Sequence, residues 1–295
     1  MPRREVSPLI STGLQPGVEA TKEGPAVLTA SRVGVETAEA VRVSAAIPNT
    51  WLKPGANERC SDFLLWQLAD SAFPTGGFAH SAGLEAAWQH GEVRNRGELL
   101  SYVEASLQQL GRAALPFVST AHDEPQRLEE LDRLCDAFTS NHVANRASRA
   151  QGRAFLSAVE RIFKVGQASS LSGEPMSASK VAPSAPAGTG RMPVLPCAHL
   201  APVFGASLRW LDVPRDTALR LFVFNHLRGL IAAAVRLNIV GPMEAQSLQQ
   251  HLSSPAEALL QRSVHLTLDD LAQTTPLLDL WQGAQDRLYS RLFQS

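Results

Sequence analysis

The sequence is short of thiols. Among 295 residues there are three cysteines, Cys60, Cys135 and Cys197. No two of them form a Cys-x-x-Cys pair, so neither a disulfide framework nor a structural zinc knuckle is expected, and a reducing, cytoplasmic setting fits. Aromatic residues make up 6% of the chain, with only two tyrosines. Few β-branched or aromatic runs are left to build strands, which favours helix over sheet. Excess charge is lacking too: 27 basic residues stand against 28 acidic ones, with a pI of about 6.7. That balance excludes the strongly basic face that a nucleic-acid backbone requires. No long apolar run is free of charge. The most apolar window, Leu219 to Leu237, carries Arg220, His226, Arg228 and Arg236, so no membrane span is expected. No secretory leader is read near Met1.

What is present is a sequence of helical patterns around one glycine-rich stretch, Asp70-Ser71-Ala72-Phe73-Pro74-Thr75-Gly76-Gly77-Phe78-Ala79-His80-Ser81-Ala82-Gly83-Leu84-Glu85. Pro74 cannot continue a helix, and Gly76 and Gly77 open backbone geometries that other residues avoid. The glycine spacing matches no nucleotide fingerprint and no lysine follows it, which excludes a phosphate loop. Residues 1–59 lack a sustained period and read as a disordered low-complexity extension, with at most a short strand around Val33 to Val43. Residues 60–295 read as one folded domain interrupted at about 165–196 by a flexible Ser/Ala/Pro/Gly insertion.

Within that domain Ser61 is a plausible N-cap, and a short helix follows the glycine-rich stretch to about Gly91. Helices are then expected from Glu98 to Leu115, where Pro116 should kink or stop the helix although Phe117-Val118 could carry it on toward His122, from Gln126 to Thr139 and from Val143 to Phe163. Beyond the insertion they run from Leu200 to Trp210, from Pro214 to Leu237 as the central helix, and from Pro242 to about Val264 with an interruption at Pro255. A last one spans Leu277 to Leu292. The expected class is an all-α single helical bundle of roughly eight to ten helices.

The inventory for chemistry is thin. The eight histidines are scattered, and no pair has the four-residue helical spacing that turns two imidazoles toward one metal. His226 falls on the apolar stripe of the central helix and reads as a satisfied core histidine. Cys197 and His199 could hold a soft metal or could be incidental. Asp70 and Glu85 imitate a carboxylate pair, but capping and charge pairing account for them more simply. Arg146, Arg149 and Arg153 share one side of a helix. They are either a solvated face paired with Glu129, Glu130, Asp132 and Asp136, or a docking stripe for an acidic partner. Leucine and phenylalanine near Arg291 at the end of the sequence read as packing back onto the bundle or into another chain. A helical enzyme with its site at the glycine-rich turn 74–85, using His80 and Glu85, stands as the alternative to a protein without chemistry of its own.

The stretch from Leu65 through Asp70 to Glu85 closely resembles the signature of the urease accessory protein UreF family. Arg146-Ala147-Ser148-Arg149-Ala150-Gln151-Gly152, the region from Ala232 to Gly241 and Gln246, and Ser290-Arg291-Leu292-Phe293 with Ser295 fit the same family. The extension and the insertion have no counterpart in that pattern, and Asn238 to Gln246 departs from its usual run. The resemblance implies an all-helical, dimeric scaffold that binds a UreD (UreH) type partner, with it recruits the GTPase UreG, and serves Ni²⁺ delivery to apo-urease. It implies no catalytic residue and no stably bound cofactor, with Ni²⁺ at most in transit. It also implies partner surfaces at Asp70, Pro74, Gly76, Gly77, His80, Ser81, Glu85, Arg146, Arg149 and Arg153. Arg291, Leu292 and Phe293 would order against the UreD-type partner.

Overall fold

The computed structural model describes residues 61–163 and 195–295. The expected extension at 1–59, and the insertion at 165–196 apart from its last two residues, lie outside them. Among the described residues there are ten α-helices and no strand. They are α1 (Asp62–Ala69), α2 (Leu84–Gln89), α3 (Arg96–Ala113), α4 (Leu115–Asp123), α5 (Leu128–Phe138), α6 (His142–Phe163), α7 (Leu200–Trp210), α8 (Arg215–Arg236), α9 (Pro242–Ser263) and α10 (Pro276–Ala284). The bundle is all-α, as the composition implied.

The boundaries follow local chemistry. Asn95 caps α3 by accepting the Glu98 N–H at 3.1 Å. Pro116 lies in the first turn of α4, where its missing N–H costs nothing, so the chain stops at Ala114 and restarts rather than kinking. Asn141 caps α6 through the N–H groups of Val143 and Ala144. Two expectations fail. Pro255 does not interrupt α9, which runs unbroken through it. The carbonyl that Pro255 leaves without a donor belongs to His251, an exposed residue. The last helix ends at Ala284 rather than Leu292, because a 3₁₀ turn at Gln285–Arg287 peels the chain away toward other partners.

Helix α8 is the core helix, burying ten side chains including Leu219, Phe222, Leu227, Leu230 and Ile231. By length and composition it could cross a membrane, yet 56% of that window is buried inside the bundle. Its charges are placed accordingly: Arg220 pairs with Glu257 of α9 at the surface, and Arg228 donates to the Ala69 carbonyl. It packs against α9, α3, α4 and α7, while α7 is wedged between α4 and α6. Small residues permit that wedge. A Cβ at Gly205 would collide with the Val118 carbonyl of α4, and one at Gly152 of α6 with the Ala198 carbonyl that precedes α7. Four phenylalanines connect these layers. Phe73 lies 5.9 Å from Phe155 (α6), Phe155 5.0 Å from Phe204 (α7), and Phe204 5.1 Å from Phe222 (α8). Each ring contributes roughly 2–3 kcal/mol of burial, plus about 1 kcal/mol per edge or offset contact. The glycine-rich stretch is thereby rooted in the core through Phe73.

Candidate functional site

The glycine-rich stretch does not stand alone. Gly76, at φ +69°, leads into a 3₁₀ turn at Gly77–Ala79, and Ala82 and Gly83 both adopt left-handed geometry before α2 begins. Gly83 is required there twice over. Its φ is +86°, and a Cβ would stand 2.9 Å from the backbone nitrogen of Gln282 in α10. The Tyr102 hydroxyl donates to the Ala82 carbonyl at 2.8 Å and pins this turn against α3. Burial pushes the Tyr102 phenol up, so it stays a donor.

The turn presents Glu85 to the interior, 1% exposed. The Glu85 carboxylate accepts the Leu292 N–H at 2.6 Å, the Phe293 N–H at 3.1 Å and the Gln285 side-chain amide at 2.6 Å. Its partners are N–H donors rather than a cation, which corrects the expectation of capping and charge pairing. A buried carboxylate is tolerable only when its lone pairs are filled in this way. Around it the last residues are laced to the stretch. The Ser81 N–H and hydroxyl both donate to the Ser295 carbonyl, at 2.5 and 3.2 Å, and the Gln294 N–H donates to the Ala79 carbonyl at 2.8 Å. His80 Nδ1 meets the Ser295 hydroxyl at 2.5 Å. The Arg236 guanidinium sits 4.2 Å from the Phe293 ring centroid and donates to the Phe78 carbonyl. Burial, and secondarily the charge of Arg146, holds the His80 imidazole below its ordinary pKa.

A cavity of about 390 Å³ is lined by His80, Phe293, Ser295 and Arg236 and also by Ser106 and His226. His226 Nε2 lies 2.8 Å from the Ser106 hydroxyl, and burial lowers its pKa to about 4. It is a partnered histidine, as its place on the apolar stripe implied.

Of the residues picked out in the sequence, His80, Ser81, Glu85, Leu292 and Phe293 thus converge on one clasp. Arg146 and Arg291 meet at a residue the sequence did not single out. Asp286 accepts a bidentate bond from Arg146, at 2.8 and 3.1 Å, a bond from Arg291 at 3.2 Å, and lies 3.3 Å from His142. Arg146 holds the Asp286 carboxyl below the usual carboxylate range. The stripe does not pair with α5: Glu129 takes Arg133, Glu130 takes Arg127, and Asp132 is occupied by backbone N–H groups. Arg149 and Arg153 line a shallow groove with Arg146 and His142, and Arg153 also donates to the Cys197 carbonyl. Asp70 and Pro74 are exposed and apart from the clasp, Asp70 accepting the Ala72 N–H at 2.9 Å. Gln285 had no signal of its own, because its partner Glu85 lies 200 positions away, and Ser295 was visible only as part of the C-terminal motif, not as a partner of His80 and Ser81. Arg236 was visible only as a charge in the apolar window and within the region from Ala232, not as part of this site.

The family model UreF matches residues 93–253, from just before α3 to the middle of α9. Urease accessory protein F of Oryza sativa subsp. indica is 36% identical over 230 residues, covering 77% of this chain and 83% of the relative. The chain belongs to the UreF family. Urease accessory protein F of Arabidopsis thaliana is 35% identical over 238 residues, covering 80% of this chain and 93% of that protein. A bacterial relative, urease accessory protein UreF of Trichodesmium erythraeum, is 24% identical over 235 residues. Both halves of the clasp lie outside the span of the UreF family model, which covers the helical framework that holds them.

Proposed function

We propose that this chain is a non-catalytic accessory protein of urease maturation. It bridges a UreD/UreH-type partner and the GTPase UreG, as a homodimer, so that Ni²⁺ reaches apo-urease. Membership of the UreF family supports the maturation role, since the relatives are named urease accessory proteins. The bridging role is supported by one observation above the rest: the three polar side chains at the end of the glycine-rich stretch, His80, Ser81 and Glu85, are spent on holding the last residues in place. They are bound to Ser295, Leu292 and Phe293. That assembly shapes a surface instead of a reaction centre.

The rim of the clasp has the character of a docking surface. Phe78, Tyr289 and Leu292 are exposed large apolar side chains beside it, with Leu277 and Leu280 of α10. Arg291 and the Arg146–Arg149–Arg153 groove add positive charge that suits an acidic partner. Ni²⁺ is the cargo of the assembly, and the bridging role needs no resident cofactor.

The test is reconstitution. The purified chain, a UreD/UreH-type protein and UreG are mixed and sized, and urease nickel content is measured in a host lacking this gene. Formation of the ternary complex, and nickel-poor urease restored by the wild-type gene, are the expected results. A fully nickel-loaded urease in the deletion host overturns the reading.

A further inference from the structure

We propose that Asp136, Cys197 and His199 form a binding site for a borderline-soft divalent cation such as Zn²⁺, where the start of α7 meets α5 and α6. The Sγ of Cys197, a ring nitrogen of His199 and a carboxylate oxygen of Asp136 all lie within 4.8 Å of one another. His199 Nε2 is 3.0 Å from Asp136 Oδ1. Three donors at bond lengths of about 2.0–2.3 Å from one tetrahedral ion stand roughly 3.3–3.5 Å apart, so an ion requires a closure of at most about 1.5 Å between any two of them. Sulfur, imidazole and carboxylate together suit Zn²⁺ or Co²⁺ rather than Mg²⁺ or Ca²⁺, which take oxygen alone.

The site is built, not scattered. Asp132 accepts the N–H groups of Cys197, Ala198 and His199 at 2.9, 2.9 and 2.7 Å and so fixes the backbone that carries two of the donors. Between them Ala198 is held at φ +59°, a left-handed geometry that alanine avoids, and Gly152 lacks the side chain that would collide with its carbonyl. This turn keeps Cys197 and His199 within reach of the same carboxylate. Ser148 Oγ lies 3.1 Å from His199 Nδ1, which fixes the ring and leaves Nε2 aimed at Asp136. His199 is fully buried, whereas Cys197 and Asp136 are partly exposed, which gives an ion a way in. Three protein donors leave the fourth position to water, the pattern of an exchangeable rather than a sealed site. On binding, the Cys197 thiol proton leaves to solvent and the thiolate takes its place on the ion. The site lies apart from the clasp and does not rest on the proposed bridging role.

Co²⁺ is the probe, titrated into the full chain carrying Cys60→Ser to remove one competing thiol. A near-ultraviolet thiolate-to-Co²⁺ charge-transfer band, displaced by one equivalent of Zn²⁺, is the expected result. Cys197→Ser should abolish that band and weaken Co²⁺ binding by about tenfold or more, while Asp136→Asn keeps the band and loses about tenfold in affinity. Truncating buried His199 would disturb folding, so the test rests on these two positions, and the metal-free Cys197→Ser chain should melt with the wild type. Absence of the band in the wild-type chain, or a band that survives Cys197→Ser, overturns the proposal and leaves the cluster a hydrogen-bonded knot.

Discussion

Two buried carboxylates in this molecule do the same work in different settings. Glu85 gathers three N–H donors from residues 285–293, and Asp132 gathers three from residues 197–199. Neither is paired with a cation, and both are essentially unexposed. The segments they hold differ. After residues 197–199 the chain enters α7, where Ala201 to Leu208 are buried without a break. Among residues 288–295 only Phe293 and Ser295 are buried, Leu288 is half-buried, and the rest are exposed. The segment held by the first carboxylate runs straight into the buried helix α7; the second carboxylate carries much of its segment alone. One anchor is part of the core, and the other is a latch.

The widest separation between them should appear on truncation. Asp132→Ala leaves three backbone N–H groups without an acceptor in a dry environment and should cost about 3–5 kcal/mol. A urea midpoint that falls sharply at unchanged slope checks it. Glu85→Ala should lower global stability by only about 1–3 kcal/mol, since residues 288–295 can leave and hydrate their own N–H groups. Its main readout is local: amide exchange at Leu292 and Phe293 should approach unprotected rates while α8 keeps its protection. If the two truncations cost the same, the distinction between anchor and latch fails.

Acid offers a second way to divide the molecule. His80 and His226 line the same cavity on the latch side, and both have pKa values depressed by burial. The unfolded chain therefore binds protons that the folded chain refuses. Stability is at its full value above about pH 6.5 and declines as pH falls through that value toward about 4, where His226 itself titrates. For His226 the loss approaches about 3 kcal/mol at most. Equilibrium unfolding followed between pH 7 and 4 measures it, and His226→Gln should flatten the profile. A profile unchanged by that substitution would place the acid sensitivity elsewhere.

How much of this was readable in the sequence depends on range. Helices α7 and α8 are legible because the apolar period and the flanking Pro214 are local signals. The overrun of the last helix has the opposite cause. Leu288 and Leu292 keep a helical spacing, but the Leu288 N–H closes a 3₁₀ turn on the Gln285 carbonyl and the Leu292 N–H answers to Glu85, some 200 positions earlier, so tertiary bonding outweighs propensity. Glu85 looked like a helix-terminus charge for the same reason. Cys197 and His199 were visible as a close pair, but Asp136 comes from α5 and joins them only through the fold. The Arg146 stripe was visible as a stripe and its partner was not, because Asp286 lies 140 positions away and only the fold brings it to α6.

The smallest expected effect is the one that best separates structure from recognition. Asp286 ties Arg146 of α6 to Arg291 of the latch, but all three are substantially exposed, with side-chain exposures of 30, 52 and 43%. Exposed pairs of this kind contribute at most about 0.5–1 kcal/mol, screened further by salt. Asp286→Asn should therefore leave the urea midpoint almost unmoved. It should nonetheless release the Arg146 and Arg291 guanidinium groups from their shared carboxylate and so raise the positive field over the groove shared with Arg149 and Arg153. If that groove docks an acidic surface, association of the variant with a UreD/UreH-type or UreG partner should become faster, and the gain should shrink as salt rises. Arg149→Glu, at a position that makes no ion pair among the described residues, should slow association at the same unaltered stability. Equal association rates for the wild type and both variants would reduce the stripe to a solvated face and leave the latch as the sole candidate for recognition.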